Sequence, residues 1–216
     1  MLKRSLLLVL MATLLSSCGL PLPGKPGVFK VEAPLFRQAQ LAKMEFWHAG
    51  GVFSIVPTDK PSERPEIASF DWQQLNQGYR IIITSALDLY RLEILRQLGS
   101  VTLWKNGTEA SNAKTPEGLM QKAVGWSLPI SELSTWIKAM PVKSSPIAHA
   151  KYDEYGHLIG LSQDGWAMRF DVFRKVDDGV DLPHAIVMER PGLKVNIVIK
   201  HWGLLNYRGP NPTVMP

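Results

Sequence analysis

The residues Ile67-Ala-Ser-Phe70-Asp-Trp72-Gln-Gln-Leu75-Asn76-Gln-Gly78-Tyr79-Arg-Ile-Ile-Ile83-Thr84 decide the fold. Apolar side chains recur at every second position on both sides of Asn76-Gln-Gly78, and a period of two marks a half-buried strand. Two such runs joined through Asn and Gly read as a hairpin. The style extends outward. Upstream, Phe53-Ser-Ile55-Val is a further strand; downstream, Tyr90-Arg-Leu-Glu-Ile94-Leu and Val101-Thr-Leu103-Trp104 follow, bounded by Leu98-Gly99-Ser100 and Asn106-Gly107. In the second half Ala150-Lys-Tyr152, Leu158-Ile-Gly-Leu161, Trp166-Ala-Met168-Arg-Phe170, Ala185-Ile-Val187-Met and Val195-Asn-Ile-Val-Ile199 repeat it. Short strands joined by short turns predict a mainly β chain with a meandering antiparallel sheet, open or closed as a barrel.

Three segments break the alternation. Leu35 to Phe46 has helical spacing, with Leu35, Ala39, Ala42, Met44 and Phe46 on one face. Thr115-Pro116-Glu117 opens a second helix, with Thr115 at the N-cap and Pro116 at the first helical position, and Gly125 stops it. A third begins at Ser131 and carries Leu133, Trp136, Ile137 and Met140 before Pro141. Both central helices fall between the strand-rich halves, which suggests a cover over one mouth of the barrel.

The N-terminus sets the compartment. Lys3 and Arg4 precede an apolar run from Ser5 to Leu15, the pattern of a secretory signal, and the run is too short to span a bilayer, which takes about 20 residues. It ends in Leu15-Ser16-Ser17-Cys18, an aliphatic residue and two small ones before the single cysteine of the chain. That is the bacterial lipobox: cleavage is expected between Ser17 and Cys18, and the thiol of Cys18 is expected to carry the lipid. Gly19 follows, whereas an aspartate there usually retains a lipoprotein at the inner membrane; the expected location is the periplasmic face of the outer membrane. The domains expected are a signal peptide over 1–17, a Pro- and Gly-rich lipidated tether over 18–33, a barrel domain over 34–202 and a tail over 203–216. With one cysteine there is no disulfide, so the core alone must hold the mature chain of about 200 residues together.

Motifs that carry chemistry are absent. None of the five histidines (His48, His149, His157, His184, His201) pairs with another at the i, i+4 spacing of a helical metal site, and there is no HExxH, CxxC, GxSxG or phosphate loop. Neither an enzymatic activity, a metal nor a cofactor is expected. The net charge of +5 falls to +3 once Lys3 and Arg4 are removed, and without a run of like charge no nucleic-acid partner is expected. The unusual component is apolar: seven tryptophans and eight methionines are spread over nearly every element. They suit a packed core, or a cavity for an apolar ligand of variable shape.

An ordered set of short motifs behind the lipobox resembles the LolB family of outer-membrane lipoprotein receptors. It comprises Gly51-Val-Phe53, Phe70-Asp-Trp72-Gln73, Tyr79-Arg-Ile-Ile-Ile-Thr84, Gly125-Trp-Ser-Leu-Pro129-Ile, Leu133-Ser-Thr-Trp136-Ile, Gln163-Asp-Gly165-Trp166, Leu182-Pro183 and Ile199-Lys-His-Trp202, and spans Leu35 to Trp202. The resemblance implies an unclosed antiparallel β-barrel with a hydrophobic cavity, capped by helices inserted between strands. It further implies a monomer that takes the acyl chains of client lipoproteins from the periplasmic carrier LolA and delivers them to outer-membrane lipid. Leu133, Trp136, Ile137 and Met140 would face the acyl chains, and Leu87 would be the apolar loop residue that touches the membrane. The family loop commonly reads Pro-Leu-Gly; here it reads Ala86-Leu87-Asp88. The alternative is a structural or assembly lipoprotein of the outer membrane whose barrel is simply filled.

Overall fold

A computed structural model describes residues 29–205, apart from 61, 177 and 178. The signal peptide, the Ser17–Cys18 junction, the first part of the tether and the tail from 206 lie outside the described residues. In order, the strands are β1 (Phe46–Pro57), β2 (Glu66–Leu75), β3 (Gly78–Ser85), β4 (Arg91–Gln97), β5 (Ser100–Lys105), β6 (Thr108–Ala113), β7 (Ile147–Tyr152), β8 (Leu158–Gln163), β9 (Trp166–Val176), β10 (Val180–Arg190) and β11 (Leu193–Leu204). The helices are α1 (Pro34–Ala42), α2 (Pro116–Val124) and α3 (Ile130–Trp136).

All strands lie in one antiparallel sheet of order β6-β5-β4-β3-β2-β1-β11-β10-β9-β8-β7. Every neighbour but one is consecutive, because tight turns leave a strand nowhere to go but beside its predecessor. Leu98-Gly99, Asn106-Gly107 and Asp164-Gly165 hold positive φ at both positions, the two-residue turn whose twist matches the strands. The exception is β1 against β11, a seam joining the two halves from Trp47 opposite Leu204 to Pro57 opposite Leu193. β6 and β7 remain edges, so the barrel is unclosed, and the chain between them carries α2 and α3. α2 packs on β5 and β6, and Trp136 of α3 reaches Gln163 at the end of β8. Trp47, Trp72, Ile81, Ile83, Leu92, Ile94, Met120, Trp136 and Phe170 share the single large core.

The fold departs from the expectations in four places. α1 stops at Ala42, and Phe46 already opens β1. The buried face of α1 carries Arg37 and Leu41, while Leu35 is 79% exposed. An arginine displaces the leucine because it has partners: Arg37 Nη1 donates to Asp181 Oδ2 at 2.7 Å, and Nη2 donates to the Lys30 and Tyr155 carbonyls. Within the stretch expected as tether, the Phe29 ring packs edge-on against Tyr155 and His157 at 5.5 and 4.9 Å and the Glu32 N–H bonds the Tyr155 carbonyl. β6 has no alternating apolar pattern, because as an edge strand it is held by its ladder to β5. At the other end β11 continues to Leu204, two residues beyond the expected boundary.

Candidate functional site

Alternation along the strands puts one face of each on the inside, and at the centre of the sheet those residues surround a wholly apolar void. Phe53 of β1, Phe70 and Trp72 of β2, Ile81 and Ile83 of β3 and Ile197 of β11 form its floor, and Leu128, Ile130, Leu133 and Ile137 close it from the helical side. Its free volume is about 20 Å³, and a cavity needs at least ~10–15 Å³ of this measure to hold one water. The helical side chains therefore fill the interior in this state.

Of the four expected lid residues, two line the void: Leu133 and Ile137, one helical turn apart. Trp136 is fully buried beside it, with its indole N–H donating to Gln163 Oε1 at 2.8 Å. Met140 lies elsewhere, in a second cluster with Leu41, Val176 and Leu182. The helix ends before Met140 and Ala139 turns left-handed at φ +53°, which carries Met140 away from the void. Leu128 and Ile130 were missed as lining residues. They sit in Gly125-Trp-Ser-Leu-Pro129-Ile, which lacks a helical period; only its place between the helices could have pointed to them.

The two helices form one cover. Glu117 of α2 accepts the Ser131 N–H at the start of α3 at 3.0 Å, while Thr115 sits at the N-cap of α2 without making a side-chain capping bond. The cover is pinned to β8 by Gln163, which is buried, accepts from Trp136 and Val142 N–H, and donates to the Val142 and Ser145 carbonyls. Beside the cover, a cleft of about 550 Å³ opens between α2, the loop after β1 and the turn before β11, with Lys60, Glu63, Arg64, Glu66 and Arg190 around it. Trp126 lines that cleft and packs edge-on against Phe53, a lining residue of the void, at 5.7 Å.

The family model described as Outer membrane lipoprotein LolB matches residues 45–202. The chain belongs to the LolB family. It is 39% identical over 197 residues to the outer-membrane lipoprotein LolB of Coxiella burnetii (strain RSA 493 / Nine Mile phase I), covering 90% of each chain. It is 30% identical over 170 residues to that of Cellvibrio japonicus (strain Ueda107), covering 77% of this chain and 82% of the relative. A solved structure of a LolA superfamily protein from Nitrosomonas europaea superimposes with a TM-score of 0.49 at 8% identity, covering 82% of this chain and 96% of that chain. As a LolB-family member the chain is a lipid-anchored outer-membrane lipoprotein, and its function lies in bringing lipoproteins to that membrane.

At the rim of this LolB-family barrel, on the side of the cleft, the loop of residues 86–90 joins β3 to β4. Asp88 N–H bonds the Ser85 carbonyl at 3.1 Å, and Leu87 stands at the third turn position with φ +76°. A positive φ there is the signature of a type II turn, which favours Gly. Leu87 is 89% exposed and Leu89 75%. The base of the loop is rigid: Ser85 and Tyr90 bond each other through backbone and hydroxyl, and Tyr90 OH donates to Glu66 Oε1 at 2.7 Å. Burial, then the bond to Glu66, pushes the Tyr90 phenol well above its ordinary pKa, so it stays a donor throughout the physiological range. A fixed base thus presents a strained leucine to solvent.

Proposed function

We propose that the chain accepts lipoproteins from a LolA-type periplasmic carrier, buries their acyl chains between the sheet and the α2–α3 cover, and releases them into the outer membrane through the loop of residues 86–90. The observation that carries the reading is the apolar interior filled, on its helical side, by side chains of one segment between β6 and β7. Leu128, Ile130, Leu133 and Ile137 occupy the place an acyl chain would take, and Gly125 at φ +81° and Ala139 at φ +53° stand at the two ends of the segment. Withdrawing four such side chains costs about 6–12 kcal/mol at 1.5–3 kcal/mol each, and some ten acyl methylenes at about 0.8 kcal/mol offset it. Loading and closing are then nearly balanced, which suits a carrier that must also let go. No covalent chemistry is needed: the bilayer buries the chains more completely than the protein does.

Cys18 supplies the permanent anchor in this reading, and Leu87 a transient one. The small free volume favours a second reading, an outer-membrane structural lipoprotein with a filled core. The test is to give the lipidated full-length chain a LolA-type carrier loaded with a labelled lipoprotein. With photoreactive leucine incorporated throughout, cargo should move to this chain and its acyl groups should crosslink at Leu128 and Leu133. Cargo that stays on the carrier would support the filled-core reading.

A further inference from the structure

We infer that His48, Asp71 and His201 form a binding site for a borderline divalent transition cation, of which Zn²⁺ is the representative, on the outer face of the seam between the two halves of the sheet. The side chains come from three adjacent strands, β1, β2 and β11, and their ligating atoms all lie within 4.8 Å of one another. His48 Nε2 is 2.7 Å from Asp71 Oδ2, and the imidazoles of His48 and His201 are 4.9 Å apart between centroids. Two imidazoles and one carboxylate are the donors that zinc takes in sites that keep an open position for water, with metal–ligand bonds of about 2.0–2.2 Å. Oxygen-seeking Mg²⁺ has little use for them.

Two features of the backbone build the cluster. In β11 the register shifts opposite Gly50/Gly51: Gly51 faces Ile199 and Gly50 faces His201, leaving Lys200 unpaired. Ile199 points into the core, so regular alternation would send His201 inward as well; the bulge turns it outward instead. Bulges that re-aim a side chain recur beside functional sites. The second feature is Gly50, which pairs with Asp71 on one side and His201 on the other. A Cβ at Gly50 would fall 2.1 Å from His201 Cε1, so the imidazole lies where a side chain at position 50 would be. His48, two residues earlier, shares that face. Bound metal would tie β2, β1 and β11 together at the one junction where the sheet pairs its first strand with its last.

Zn²⁺ titrated calorimetrically into the mature, lipidated chain in detergent and a non-chelating buffer should show one saturable site per molecule. A hundredfold excess of Mg²⁺ should not displace it. Asp71→Asn, an isostere, and His201→Gln, a polar replacement at an exposed position, should each weaken binding at least tenfold while circular dichroism stays unchanged; His149→Gln, on exposed β7, should not. Diethyl pyrocarbonate footprinting of the unaltered protein gives a readout free of variants, in which Zn²⁺ should protect His48 and His201 and leave His149 reactive. Absence of a saturable site, undiminished binding in both variants, or equal protection of His149 would overturn the assignment.

Discussion

Replacing Leu87 by glycine sets stability and function against each other. A leucine in the left-handed region costs roughly 1–2 kcal/mol, and Leu87 holds φ +76°. Glycine removes that strain but brings about 0.5–1 kcal/mol of extra chain entropy to be lost on folding. With the side chain 89% exposed, no burial is forfeited, so Leu87→Gly should leave stability unchanged or raise it by up to about 1.5 kcal/mol. At a bilayer surface the same side chain is worth ~1.5–3 kcal/mol when buried, and 1.4 kcal/mol is a factor of ten. Delivery of a labelled lipoprotein from the loaded chain to liposomes should therefore slow roughly 10- to 100-fold, with Leu89 sustaining the remainder. Leu98→Gly is the internal control: Leu98 also has positive φ and is 82% exposed, but it lies at the other end of β4. That strand has seven residues, which at ~3.3 Å each puts the two leucines more than about 20 Å apart. The control should keep the wild-type delivery rate. Thermal unfolding and liposome transfer, run on the same samples, give both numbers. A Leu87→Gly protein that delivers at the wild-type rate would refute the insertion role, and a melting temperature lowered by several degrees would refute the strain.

Three further outcomes are expected. Cys18→Ala should abolish palmitate labelling and release the chain from the membrane fraction or leave it uncleaved; unchanged labelling would remove Cys18 as the anchor. Gln163→Ala strips four hydrogen bonds from the junction between α3 and the segment after it, and at 1–3 kcal/mol per stranded group it should cost at least about 4 kcal/mol; undiminished amide-exchange protection across residues 130–145 would argue against the pin. Burial lowers Lys138 to about 8, although its Nζ bonds the Leu41 and Met44 carbonyls. The unfolded chain keeps that proton up to about pH 10.4, so between the two values folding releases it and the Lys138 contribution rises with pH. Denaturation at pH 7 and 9.5 should show the parent gaining about 2 kcal/mol relative to Lys138→Met, a difference in which the tyrosines cancel; parallel pH profiles would exclude it.

Strands bounded by Asn-Gly, Asp-Gly and Leu-Gly turns were legible because each records a local requirement: alternation for a two-sided strand, positive φ for a two-residue turn. Ile81 and Ile83 declare their inward face in this way. The floor of the void as a set was not legible, since Phe53 and Ile197 meet only through the seam of β1 with β11. Met140 read as a lid residue because helical spacing was carried past Ala139, where the backbone changes hand. Leu35 read as part of the apolar face and Arg37 went unnoticed, because Asp181, the partner that makes a buried guanidinium tolerable, lies in β10. His48 and His201 showed no metal spacing along the chain, because the sheet and a bulge at Lys200, not a helix, bring them together.

The strand style, the order of helices between the two sheet halves, the family and the lipid-anchored destination were all readable from the chain of residues. Those properties rest on neighbours in the chain: periodicity, turn chemistry and the expected lipobox behind an expected signal peptide. The tertiary structure alone decided that the interior is closed to about 20 Å³ by four helical-side residues, which lid positions face it, and which polar groups are paired out of water. These depend on contacts between residues far apart in sequence, where a side chain's surroundings are set by packing and no local pattern records them.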